Sequence, residues 1–116
     1  MRAVALFSVI LAIAAACTSS PPAPTPPPSP ADAARGLALA EKWCADCHRV
    51  GAAQREVRRP EMRAPGFAAV VGRPEVDAGY LARFMEVQHL PMTVYRLAAE
   101  EKSDVVAYLV SLKPGR

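Results

Sequence analysis

An all-α fold is predicted for this 116-residue chain by three observations. Apolar residues recur at three- and four-residue spacing in several separate stretches. No stretch sustains the apolar/polar alternation of a half-buried strand. Aspartate, glycine and proline stand where the helices so predicted would begin and end.

The first thirty residues stand apart from that pattern. Met1-Arg2 carries one positive charge, and the run Ala3–Ala16 is apolar except for Ser8. Such a run is too short to span a bilayer but has the length of a signal-peptide core, and Ala14-Ala15-Ala16 offers the small residues a signal peptidase needs. Residues 1–16 are therefore expected to be a signal peptide; an uncleaved anchor or a buried helix is the alternative. Thr18–Pro30 holds seven prolines in thirteen residues. It has few helix or ladder donors and little to bury, so residues 17–30 are expected to be an extended tether reaching roughly 40 Å. Residues 31–116 are left as one folded domain.

Within that domain Asp32 is a candidate N-cap for a first helix running through Cys44 to His48, with Leu37, Ala40 and Cys44 at helical spacing. Gly51, Pro60 and Pro65 predict a loop from Arg49 to Pro65. A short helix over Gly66–Val71 is stopped by Gly72 and Pro74. Asp77 caps a helix carrying Tyr80, Leu81, Phe84 and Met85 to about Gln88, before a break at Pro91. A last helix from about Ala98 to Leu112 turns Val105, Val106, Tyr108, Leu109 and Leu112 inward, and Pro114-Gly115 ends it. A domain of this size with few aromatics buries little apolar surface unaided, so a large flat group at its centre would supply the missing core.

Charge excludes some functions. Fourteen Lys and Arg face eleven Asp and Glu; loss of residues 1–16 removes only Arg2 and leaves a net charge near +2. That is too mild, with signs interspersed, for nucleic-acid binding. Arg49, Arg55, Arg58, Arg59 and Arg63 crowd one loop, opposed within it by Glu56 and Glu61. They form either a solvated surface or a docking patch for an acidic redox partner.

The chemistry lies in Cys44-Ala45-Asp46-Cys47-His48. At helical spacing both sulfurs and the imidazole share one face, which lets two thiols add across the vinyl groups of a haem while the histidine reaches its iron. A zinc site lacks further soft ligands beyond His89, a thioredoxin-like pair lacks a preceding strand, and a disulfide this short closes almost no loop. For the sixth iron position the candidates are Met62, Met85, Met92 and His89. Met85 fits the apolar face of its helix, and Met62 sits between charges in a loop. Met92 follows Pro91 directly before the last helix, where a rigid loop aims a side chain inward; His89 is its competitor. Thioether ligation favours Fe(II) and a raised potential.

The folded part resembles the class I bacterial cytochromes c over nearly its whole length. The resemblance is carried by Gly36 eight residues before CADCH, by APGFAAVVGRP, and by HLPMTVYRLAAEEKSDVVAYLVSL. It implies a small cytochrome c fold, three main helices plus a short one packed around a haem, with first and last helices crossing at Gly36 and Tyr108. It implies one haem c bound through thioethers to Cys44 and Cys47, with His48 the proximal and Met92 the distal ligand. Two positions depart from the family. Ala40 stands where an aromatic is common, shifting the crossing toward Leu37 and Tyr108. Ala98 replaces a capping threonine, which removes about 1 kcal/mol. The carbonyl of Pro60 or of Pro65 is expected to accept the second imidazole nitrogen of His48.

Residues Ala14–Cys17 resemble a bacterial lipoprotein signal, with Ala14 where leucine is usual. The resemblance implies lipidation of Cys17 and tethering at a membrane surface; ordinary cleavage after Ala16 is the alternative. Together these features predict an exported, periplasmic single-electron carrier that serves redox protein partners and is not itself an enzyme. An oxidoreductase subunit, a haem peroxidase and a gas or redox sensor are the alternatives.

Overall fold

The computed structural model describes residues 28–87 and 97–115, the side chain of Ala31 excepted. The expected signal peptide, Cys17, His89 and Met92 lie outside the described residues. Four α-helices follow in order: α1 (Pro30–Trp43), α2 (Phe67–Val71), α3 (Ala78–Glu86) and α4 (Ala99–Ser111). No strand occurs among the described residues.

α1 begins three residues earlier than an Asp32 cap would allow. Ser29 is the N-cap, its hydroxyl accepting the Asp32 N–H at 3.2 Å while the Asp32 carboxylate accepts the Ser29 N–H at 2.7 Å. Pro30 occupies the first helical position, where its missing N–H costs nothing. Asp32 therefore closes a reciprocal capping box from the third helical position. Its hydrogen bonds from Ser29, reinforced by Arg35, hold its carboxyl below the usual range.

α1 and α4 cross in close contact, and Gly36 is the reason they can. A Cβ at position 36 would lie 1.9 Å from the Asp104 carbonyl oxygen and 2.8 Å from the Tyr108 Cβ. The crossing is fastened by Arg35, whose Nε and Nη2 donate to the two Asp104 carboxylate oxygens at 2.8 and 2.9 Å. This forked geometry is the strongest form of the pair. Ala40, which stands where an aromatic is common, is fully buried here. Leu37 packs at the edge of the same core.

α4 is the centre of the domain. Residues 104 to 110 are all buried, so this stretch of the helix is enclosed on every side rather than along one apolar stripe. α1 covers part of its circumference, and α2 and α3 contact it elsewhere. The missing threonine cap at its start is offset in part, because the Glu101 carboxylate accepts the Ala98 N–H at 2.8 Å. Asp77 caps α3 as expected, its carboxylate accepting the Tyr80 N–H at 2.6 Å. The loop of 49–65 contains one turn of 3-10 helix at Pro60–Met62. That turn ends at Arg63 in the left-handed region, at φ 49°.

Candidate functional site

α1 does not continue through His48. Its regular ladder ends where the N–H groups of Cys44 and Ala45 both donate to the Ala40 carbonyl, at 2.8 and 3.0 Å. A separate turn follows, in which Cys47 and His48 both donate to the Cys44 carbonyl at 3.1 and 2.9 Å. The shared face expected of a helix is thus supplied by a turn. Cys44, Cys47 and His48 all line one cavity of about 330 Å³.

The walls of that cavity come from every other element. α2 contributes Phe67 and Val70, α3 contributes Tyr80, Leu81, Phe84 and Met85, and α4 contributes Val105 and Leu109. Residues 62 to 65 form a further part of the lining. Among the described residues, Arg63 and Arg73 bring charge to a lining that is otherwise mostly apolar.

The geometry decides between Pro60 and Pro65. The Nδ1 of His48 lies 2.8 Å from the Pro65 carbonyl oxygen. A carbonyl can only accept, so Nδ1 carries the proton, and in the neutral ring Nε2 keeps its lone pair. Phe67 packs against the imidazole with ring centroids 5.3 Å apart, and Tyr108 lies 6.5 Å beyond Phe67. The N–H of Phe67 donates to the Arg49 carbonyl at 2.9 Å, so α2 is tied to the residue following His48. Tyr108 in turn donates its buried hydroxyl to the Val50 carbonyl at 2.7 Å.

Burial, followed by the nearby Cys47, pushes the Cys44 thiol up to about 11. A thiol-disulfide catalyst needs the opposite, an accessible cysteine with a depressed value. The donor set instead fits a haem. Two sulfurs and an imidazole with its outer nitrogen already held converge on an apolar cavity within a core otherwise built mainly of small aliphatic side chains.

The structure also revises the methionines. Met62, expected in an exposed loop, lines the cavity and receives the Arg59 Nη2 at 3.5 Å through its sulfur. Met85 lines it as well while packing against the core. The roles of Phe67, Val105 and Leu109 as walls followed no chemical motif; apolar periodicity marked Val105 and Leu109, and Phe67 fell only within a short expected helix. The arginine cluster is partly spent internally. Arg49 donates to the Gln54 and Arg55 carbonyls, Arg58 pairs with Asp46 at 3.1 Å, and Arg59 pairs with Glu61 at 3.4 Å.

Fold and site together define a small helical haem protein. The chain is similar to cytochrome c-552 of Bradyrhizobium diazoefficiens, at 39% identity over 84 residues, covering 72% of this chain and 78% of that one. No family model matches the chain, and no solved structure matches it. The chain belongs to the monohaem c-type cytochromes, which are haem-containing electron carriers.

Proposed function

We propose that this protein carries single electrons on one haem c, bound through thioethers to Cys44 and Cys47 and ligated by His48 and Met92, in a periplasmic electron-transfer chain. One observation carries the reading: Cys44, Cys47 and His48 line the same apolar cavity while the His48 Nδ1 is held by Pro65. When bound, the haem supplies an iron that cycles between Fe(II) and Fe(III).

The residues supply the rest. His48 presents Nε2 as a ligand because Nδ1–H is engaged, and that hydrogen bond raises the basicity of the ring. Phe67, Leu81, Val105 and Leu109 exclude water and lower the local dielectric, which favours the less charged reduced state. Arg63 and Arg73 bring positive charge to a group that carries carboxylates. Met92 is supported by sequence, since it follows Pro91 and precedes α4. The arginines of residues 49–63 give an acidic redox partner an electrostatic approach. No bond of a substrate is broken, so the protein is a carrier rather than an enzyme.

Export rests on residues 1–16, and anchoring rests on Cys17 as a lipidated residue, with residues 17–30 as the tether between membrane surface and domain. Among the described residues no helix is long and apolar enough to cross a membrane. A reduced-minus-oxidised spectrum of protein made with haem-maturation machinery tests the proposal. The expected result is one haem c per chain with a six-coordinate iron in both states. A five-coordinate iron that binds carbon monoxide or cyanide at once would replace the carrier with the peroxidase or sensor reading.

A further inference from the structure

We propose that Gln54 is the positioning residue of the Cys44–His48 turn, holding the backbone from which the His48 imidazole is aimed. The inference rests on the reading of Cys44, Cys47 and His48 as haem-binding residues. The carboxamide of Gln54 is half-buried although it stands in a polar loop. Its Nε2 donates to the Ala45 carbonyl at 2.9 Å, to the His48 carbonyl at 3.1 Å and to the Glu56 carbonyl at 3.1 Å. Its Oε1 accepts the Val50 N–H at 2.7 Å. Two amide protons thus serve three acceptors, and all four polar contacts are to backbone.

Two of these carbonyls lie within the turn, at Ala45 between the cysteines and at His48 itself. A single side chain therefore spans both ends of the segment that carries Cys47. The neighbouring carbonyls are taken by backbone donors: Asp46 by the Arg59 N–H at 2.7 Å and Arg49 by the Phe67 N–H at 2.9 Å. Gln54 is the one side chain that grips the turn at two points among these contacts. His48 is then fixed twice, through its ring by Pro65 and through its carbonyl by Gln54. The ring hydrogen bond depends on where the His48 Cα sits, so release of the second grip should loosen the first.

Gln54 is itself anchored rather than free to follow the turn. Its N–H donates to the Gly51 carbonyl at 3.3 Å, and its carbonyl accepts from Arg49. The loop of 49–56 thus forms a small closed frame. The hydrogen bonds of the Gln54 side chain to the turn are all to backbone atoms.

The test compares haem-loaded wild type with Gln54→Leu and Gln54→Glu, following exchange of the His48 Nδ1 proton by NMR under conditions far below the unfolding midpoint. Glutamate keeps the shape and the acceptor for Val50 but loses the donors. The inference expects the ring proton to exchange about tenfold faster in both variants, the ratio for loss of one net hydrogen bond. A role in packing alone predicts wild-type exchange in Gln54→Glu, and that result overturns the inference. If Gln54→Leu does not accumulate, Gln54→Glu decides alone by the same ratio. Wild type that fails to load haem counts against the functional reading; loaded wild type with unchanged exchange in Gln54→Glu counts against Gln54 only.

Discussion

The imidazole Nδ1 of His48 and the carbonyl oxygen of Pro65 are 2.8 Å apart, across seventeen residues of chain. This contact orients the imidazole of a short sequence motif. It fixes which ring nitrogen carries the proton and, in the neutral ring, leaves the other with its lone pair. Pro65 reaches this place because Phe67, two residues on, is tied by its N–H to Arg49 and by its ring to His48 and Tyr108. The turn, α2 and α4 therefore hold the site together.

Loss of the thiols should remove more than the attachment points. Cys44→Ala/Cys47→Ala is expected to lack covalent haem and much of its helix content, because the cavity they line sits against the core. Circular dichroism and mass together check this. A helical, haem-free product with a cooperative unfolding transition would contradict it.

Met92→Ala should open the sixth iron position. The expected outcomes are a lower reduction potential, within the roughly 0.8 V range that axial ligation spans, and rapid carbon monoxide binding. Loss of the weak red absorption band of a thioether-ligated ferric haem should accompany them. An unchanged band would move the ligand to Met62 or Met85, and a wild type without the band would move it to His89.

Gly36→Ala places a methyl group against the backbone of α4, 1.9 Å from the Asp104 carbonyl oxygen. The helices must separate, and overpacking of this kind costs about 1–3 kcal/mol. Denaturant unfolding of the haem-loaded protein should show a lower midpoint with little change in slope. A wild-type midpoint would mean that the crossing gives way freely.

Tyr108→Phe removes the donor to the Val50 carbonyl and should destabilise the fold by about 1–3 kcal/mol. The difference should depend on pH. Burial, then the charge of Glu41, raises the Tyr108 phenol above its ordinary 10.0, so folding favours its neutral form. That contribution is fully present below pH 10 and is lost as pH rises through the higher folded value. The gap between wild type and Tyr108→Phe should shrink in that alkaline window, measured by unfolding at a series of pH values.

The helices were legible because each carries its own local signals. Asp77 and the spacing of Tyr80, Leu81 and Phe84 marked α3, and Gly72 marked the end of α2. Cys44, Cys47 and His48 were legible as a site because their chemistry needs no knowledge of the fold. What escaped depends on partners distant in sequence. The Arg35–Asp104 fork joins residues 69 apart, and the choice of Pro65 over Pro60 depends on how the loop folds back. Ser29 outcompeted Asp32 as a cap because Pro30 already suits the first helical position and Asp32 could answer from the third. Gln54 gave no signal at all, since a glutamine in a polar loop has no pattern to break.

The proposed function requires Cys44 and Cys47 to hold a haem through carbon–sulfur bonds beside His48. Mass spectrometry of the mature wild-type protein under denaturing conditions tests it most directly. The predicted spectrum is a single species heavier than the polypeptide by one haem, lost when both cysteines are replaced. A wild-type chain that sheds all colour on denaturation, with both thiols unmodified after production alongside competent maturation factors, would contradict it.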